Sequence, residues 1–151
     1  MALDDGELLA RMRNFQAPTA ALLGLELIEI DSAAGRARFR MVAKPDFCNP
    51  MGNLQGGIIT TALDDAAATA CIARAGRRVG VPTIEFKVSF FAPGRMGATL
   101  FCEGRVVKMG RTVSFAEADM TDEAGRLIAR MSTSVMLIDV DGPGHFVERK
   151  G

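Results

Sequence analysis

Asn49-Pro-Met-Gly52-Asn53-Leu-Gln55-Gly56-Gly57 is a polar, glycine-rich stretch that opens straight into Ile58-Ile-Thr-Thr-Ala-Leu-Asp64-Asp65. The second part is apolar enough to be a helix start, and a helix start offers unpaired N–H groups and a partial positive charge. Two consecutive glycines let another group approach that backbone closely. Two turns further on stands a carboxylate. An anion-stabilising backbone and a negative oxygen on one element point to attack on a carbonyl.

Spacing constrains that chemistry. Gly57 and Asp64 are seven residues apart, so they share nearly one helix face. Along the axis they are ~10 Å apart at ~1.5 Å per residue. An oxyanion donor must sit ~3 Å from the developing charge, and the attacking group ~3–3.5 Å from the same carbon. One helix cannot meet both conditions. Two helices side by side and antiparallel can, with the amides from one and Asp64 from the other, so the spacing predicts a homodimer with sites at its interface. Asp65 lies ~100° round the helix from Asp64 and cannot face the same cleft. A carboxylate in an apolar helix is costly to bury alone; hydroxyls of Thr60, Thr61 or Thr69 are expected to satisfy one or both, Asp65 above all.

The elements that must hold these groups follow from patterning. Leu8, Leu9, Met12 and Phe15 recur at helical spacing in a short helix over 3–15, interrupted by Pro18, with another short turn over 19–23. A strand over 25–30 and a turn at 31–35 precede Arg36, Arg38 and Arg40, which alternate with Ala37, Phe39 and Met41. Period two is a half-buried strand, and its arginines read as a solvated sheet face rather than a phosphate patch. The stretch 56–75 is apolar nearly all round, the mark of a buried helix, and Gly76 ends it. Four strands follow, over 81–91, 98–108, 112–121 and 127–140, with short turns that argue for an antiparallel meander. The predicted fold is α+β: a curved antiparallel sheet wrapped around one long helix, preceded by a helical segment at 1–24, with the main domain at 25–140 and a flexible tail at 141–151.

Composition excludes several classes. Formal net charge is zero, whereas a nucleic-acid binder carries a basic excess. Cys48, Cys71 and Cys102 form no CxxC pair and His145 is the lone histidine, so neither a metal site nor a Ser-His-Asp triad is expected. No stretch reaches the ~20 apolar residues of a membrane span, and the acidic start does not resemble a signal peptide. Reduced thiols and a cytoplasmic location are the expectation.

At these residues the chain resembles the hotdog-fold thioesterases, in particular the phenylacetyl-CoA thioesterase (PaaI) type. That family carries an Asn, a His-Gly-Gly six positions on, and an Asp nine after the His. Asn49, Gln55-Gly56-Gly57 and Asp64 match the spacing. Thr83, Phe90-Phe91-Ala-Pro93 and Lys108-Met-Gly110-Arg111-Thr112 extend the likeness, which spans 25–137. The resemblance implies hydrolysis of acyl-CoA thioesters, with CoA thioester as substrate and no cofactor. Asp64 would attack the carbonyl or activate water. Gly56 would polarise the carbonyl, Gly57 would permit close approach, Asn49 would orient the thioester or the water, and Thr83 would hold the water or Asp64. Arg95, Lys108, Gly110, Arg111 and Thr112 would contact the nucleotide, and Ile58, Ile59 and Phe90 would line the acyl pocket. The assembly implied is a dimer or a dimer of dimers.

Gln55 stands where the family has His. Its amide can donate a hydrogen bond but cannot carry charge or relay a proton. Either donation is the position's main task and turnover survives, or the chain is a non-catalytic acyl-CoA or acyl-carrier-protein binding module of the same fold. A hotdog hydratase would need a catalytic His beside the acid, and none is near.

Overall fold

A computed structural model describes residues 3–141; the stretch read as a flexible tail, with His145, lies outside them beyond Asp141. Helix α1 (Asp5–Asn14) starts at a reciprocal cap. The Asp4 carboxylate accepts from the Glu7 amide at 2.9 Å, and the Glu7 carboxylate accepts from the Asp4 amide at 3.2 Å. Such a box fixes where a helix begins, two residues inside the predicted Leu3. Leu8, Leu9 and Met12 pack against the core, while Phe15 stays largely exposed beyond the helix end. Pro18 does more than interrupt: it is the first residue of α2 (Pro18–Leu23), where a missing N–H costs nothing.

Strands β1 (Glu26–Asp31) and β2 (Arg36–Val42) form an antiparallel hairpin. Its arginines lie on the outer face, as the alternation predicts. Arg36 pairs with Asp31 at 3.2 Å and Arg40 with Glu26 at 2.7 Å. The Arg38 guanidinium sits 4.7 Å from the centre of the Phe101 ring.

Helix α3 (Gly56–Ala75) coincides with the predicted helix and buries Ala62, Leu63, Ala66, Ala67, Ala70, Cys71 and Ala73. Beyond it come β3 (Val79–Gly80), β4 (Thr83–Phe90), β5 (Thr99–Met109), β6 (Val113–Asp122), β7 (Leu127–Met136) and β8 (Ile138–Asp139). The run of alanines lets α3 settle close to the sheet, and Gly104 of β5 marks the closest approach. A Cβ built there would lie 2.1 Å from the carbonyl oxygen of Ala66. No residue other than glycine fits beneath the helix backbone at that point.

The six-stranded antiparallel sheet has the order β1-β2-β5-β6-β7-β4. This corrects the four-strand meander expected from short turns. Strands β5, β6 and β7 do form one, but β4 pairs with β7 at the far edge and never touches β5 as a neighbour. The reason is the segment 91–98, which is a crossing rather than a turn. It passes the start of α3, where the Leu54 amide donates to the Gly94 carbonyl at 2.7 Å and the Asn53 backbone bridges to Arg95. The strand predicted over 81–91 is one strand that starts at Thr83, because Pro82 cannot donate to a ladder; the one predicted over 127–140 is broken and ends its pairing in the sheet at Met136. Its last residues, β8, pair with β3 as a separate ribbon. Edge strand β4 exposes Ile84, Phe86 and Phe90. Beside it runs an incompletely covered stripe of α3 that includes Ile58, Thr61, Asp64, Ala68 and Ile72.

Candidate active site

The loop before α3 is held by Asn49. Its Oδ1 accepts from the amides of Met51 at 3.0 Å and Asn53 at 3.2 Å, and its own amide donates to the Asn53 carbonyl at 2.7 Å. The side-chain oxygen is therefore committed to the loop, which leaves the Nδ2 group for a ligand. Gln55 is the N-cap of α3, and its Oε1 accepts from the Ile58 amide at 3.2 Å. With oxygen turned to the helix, the Nε2 donors are turned away from it. Gly57 makes this cap possible, since a Cβ there would lie 2.9 Å from Gln55 Oε1. At Gly56 a Cβ would meet the Phe90 ring at 3.3 Å. The pair Gly56-Gly57 thus first makes room for two side chains of its own chain. Their two N–H groups donate to no acceptor among the described residues, as the first amides of a helix must unless capped.

Gly56 borders an open cleft of about 400 Å³ lined also by Asn49, Leu54, Ile59, Phe90 and Pro93. Of the three residues expected to line an acyl pocket, Ile59 and Phe90 line this cleft. Ile58 does not line it and belongs to the uncovered stripe of α3.

Further along α3, the Thr83 hydroxyl donates to Asp64 Oδ1 at 3.2 Å. The β4–β7 register slips between Thr83 and Glu85, and a bulge re-aims side chains in this way. Burial pushes the Asp64 carboxyl above its ordinary range, and the Thr83 hydroxyl opposes that shift in part. Asp64 is therefore a better proton acceptor than a solvated aspartate.

Asp65 departs from expectation. The hydroxyls of Thr60 and Thr61 donate to their own helix at the carbonyls of Gly56 and Gly57, 2.8 and 3.0 Å away. Asp65 Oδ2 is buried with no donor. Intrahelical back-bonding won because a Thr hydroxyl reaches the carbonyl four residues earlier without any tertiary contact. Burial, reinforced by the Asp64 charge, pushes the Asp65 carboxyl up to about 6.

The predicted residues fall into two groups at different levels of the fold. Asn49, Gln55, Gly56, Gly57, Phe90 and Arg95 gather around the start of α3. Asp64, Thr83 and the turn Lys108-Met-Gly110-Arg111-Thr112 lie at the other level: Thr83 faces Val135, Val135 faces Ser114, and Ser114 faces Met109 across the ladders. Arg95 and Lys108 flank opposite ends of an eleven-residue strand, roughly 30 Å of chain at ~3.3 Å per residue. One chain does not bring them together. Gly104, which seats the helix between the two groups, was missed in the sequence; an isolated glycine inside a strand pattern was its signal.

A model of the thioesterase superfamily matches residues 51–129. Human acyl-coenzyme A thioesterase 13 is 26% identical over 123 residues, covering 81% of this chain and 84% of that one. A phenylacetic acid degradation-related protein from Ralstonia eutropha JMP134 is 29% identical. It superposes with a TM-score of 0.76 over 85% of this chain and 98% of that one. The E. coli PaaI protein from the phenylacetic acid degradation operon shares the fold, with a TM-score of 0.79 over 87% and 92% of the two chains at 20% identity.

Proposed function

Because the chain belongs to the thioesterase superfamily, we propose that it hydrolyses acyl-CoA thioesters at a site shared between two copies of itself. One observation carries the reading. Asp64 is half-buried, bonded to Thr83 and raised in basicity, yet it stands eight residues from the free Gly56 amide on one helix. That is ~12 Å along the axis, too far for both to serve one carbon. An antiparallel second copy of α3 sets the free amides of one protomer against Asp64 of the other. The same operation brings the Arg95 end of one chain toward the Lys108-Thr112 end of its partner. The open edge of β4 and its exposed Ile84, Phe86 and Phe90 supply a surface for such a copy, since an unpaired apolar edge otherwise invites uncontrolled pairing.

In this site the acyl tail occupies the cleft beside Phe90 and Ile59. The carbonyl oxygen takes hydrogen bonds from the Gly56 amide and the Gln55 Nε2 group, aided by the helix dipole. The partner's Asp64 either removes a proton from water as it adds to the carbonyl carbon, or adds itself to give an anhydride that water then opens. In both routes the C–S bond breaks, the sulfur leaves as thiolate and takes up a proton, and free acid and CoA result. Thr83 keeps the carboxylate aimed. Gln55 supplies donation without charge, which suffices for a thioester, a more reactive acyl donor than an amide.

The test is a panel of aromatic and medium-chain acyl-CoAs with free thiol followed by a chromogenic reagent. Release by the native chain and its loss in Asp64→Asn, with the fold intact by circular dichroism, is the expected result. Tight binding of CoA esters without release would instead identify a binding module, and loss in Asp65→Asn rather than Asp64→Asn would overturn the assignment of the acid. Sedimentation tests the shared site: a stable, active monomer refutes it.

A further inference from the structure

Strand β4 meets β7 out of step at its first residues. Glu85 faces Ser134 and Phe86 faces Thr133, yet Thr83 faces Val135, so Ile84 is an extra residue in the ladder. Faces alternate along a strand, and a shift of one residue exchanges them. Val135 lies on the helix side of the sheet: it is buried and faces Ser114, whose hydroxyl accepts from the Cys71 thiol of α3. Without the extra residue Ile84 would face Val135, and Thr83 would face Met136 on the outer side. The bulge therefore turns the Thr83 hydroxyl inward to Asp64 Oδ1, 3.2 Å away, and leaves the Ile84 side chain 53% exposed. Apolar burial favours the opposite choice, with Ile inward and Thr outward. The regular register thus competes with the observed one. Strand β4 is also an edge strand, paired on one side only, so no second ladder pins it.

Two hydroxyls of β7 converge on Glu85, the first residue past the bulge. Thr133 Oγ1 donates to the Glu85 carbonyl at 2.8 Å, and Ser134 Oγ donates to the Glu85 carboxylate at 2.8 Å. Both residues are buried, and neither lines the cleft. We propose that Thr133, with Ser134 beside it, is a positioning residue for thioester hydrolysis: its bond to the Glu85 carbonyl locks the bulge that aims Thr83 at Asp64. This rests on the reading of Asp64 as the acid of the shared site. The hydroxyl at 133 has no packing reason to be there. Its neighbours on the same face of β7, Met131 and Val135, are apolar, as is Ala116 across the ladder. A valine of the same shape would fill the place without a polar group to satisfy. What the hydroxyl adds is an anchor for a carbonyl beside a disrupted stretch of ladder. With that anchor gone, the slip to regular pairing would set Ile84 against the helix. Asp64 would lose its donor and gain an apolar neighbour.

Thr133→Val removes the donor and keeps the shape. The readout is the titration midpoint of the Asp64 carboxyl, followed by NMR on isotope-labelled aspartates and assigned by the signal missing in Asp64→Asn. Burial raises that carboxyl and the Thr83 hydroxyl opposes the rise. Release of the bulge should therefore move the midpoint further up in Thr133→Val. General loosening would admit water and move it down. In turnover, kcat should fall about tenfold or more while KM changes by less than about twofold, the mark of lost aim rather than lost binding. Thr133→Ser, which keeps the hydroxyl, should restore the native midpoint and kcat. In a Thr83→Val background, Thr133→Val should change neither any further. Should Thr133→Val fold poorly, Ser134→Ala undergoes the same measurements with the same direction expected. A midpoint that stays or falls overturns the clamp, and loss of turnover in Asp64→Asn then leaves the shared-site reading standing. Turnover retained in Asp64→Asn overturns that reading instead, and the titration still decides whether Thr133 aims Thr83.

Discussion

Gly104→Ala is the smallest change that should disturb the whole molecule. The added Cβ would stand 2.1 Å from the Ala66 oxygen, 2.3 Å from the Ala66 carbonyl carbon and 2.7 Å from the Ala67 nitrogen. All three are backbone atoms in the middle of α3, so no side chain can swing aside. Ordinary contact begins near 3.4 Å, and helix and strand must therefore part by roughly 1.3 Å. Ala62, Ala66, Ala67 and Ala70 pack too closely to bridge that gap, and separating them opens space along the helix. Overpacking a core usually costs about 1–3 kcal/mol, occasionally more; with a rigid obstacle and no relief, about 3 kcal/mol or more is expected. For a chain of this size that lowers Tm by roughly 6–12 °C. The same lift should carry Asp64 beyond hydrogen-bond reach of Thr83, now 3.2 Å away, so turnover of the residual folded protein should fall too. Differential scanning calorimetry at matched protein concentration is the assay. A midpoint within ~2 °C of the native chain would refute the seating of α3 on β5, because the expected penalty is several times that.

Asp64→Asn should lower acyl-CoA turnover at least about a hundredfold with no fall in Tm, since it removes a desolvated charge. Native kcat/KM should rise with pH along a limb set by Asp64, displaced above the ordinary carboxylate range in the direction burial imposes, with no imidazole limb because Gln55 replaces His; a pH–rate profile checks both. Asp65, pushed up to about 6, is protonated when folded and ionised when unfolded between about pH 4 and 6. Its contribution to stability is therefore full at low pH and is lost as pH rises through 6. Asp65→Asn should flatten that fall and raise stability at pH 7 by about 1–3 kcal/mol, read by urea melts at pH 4.5 and 7. Asp119 is held below its ordinary range, chiefly by Arg130 and also by Arg105. That stabilisation is present above the ordinary pKa and lost on acidification, and Arg130→Ala should shrink the fall in Tm between neutral and acid pH, read by calorimetry at pH 7 and 3.

The residues legible in the sequence are those governed by local rules. Helix periodicity placed α3 from Gly56 to Ala75, and the rise per residue was enough to separate Gly57 from Asp64. Strand alternation put Arg36, Arg38 and Arg40 on the outer face. What failed was non-local. Nothing in 81–98 says whether Pro93-Gly94 turns the chain back or carries it across the sheet. That depends on the Leu54–Gly94 contact, which exists only once α3 is docked. The satisfaction of Asp65 failed for a related reason: candidate hydroxyls can be listed from spacing, but their competition with helix carbonyls is decided by geometry.

The crossing that sequence could not reveal also accounts for the shape of the site. Had β4 paired with β5 inside the sheet, Thr83 would be covered by strands on both sides and Asp64 closed off from a second chain. At the edge, β4 delivers Thr83 to Asp64 and Phe90 to Gly56, one at each end of the same strand. Eight residues of extended strand span roughly 25 Å, against ~12 Å for the helix between its two functional positions. On the shared-site proposal, one chain presents two half-sites along one exposed margin, each with an open side. A single two-fold contact along that margin would close both, whereas within one helix the ~12 Å rise keeps the Asp64 carboxylate from the Gly56 amide.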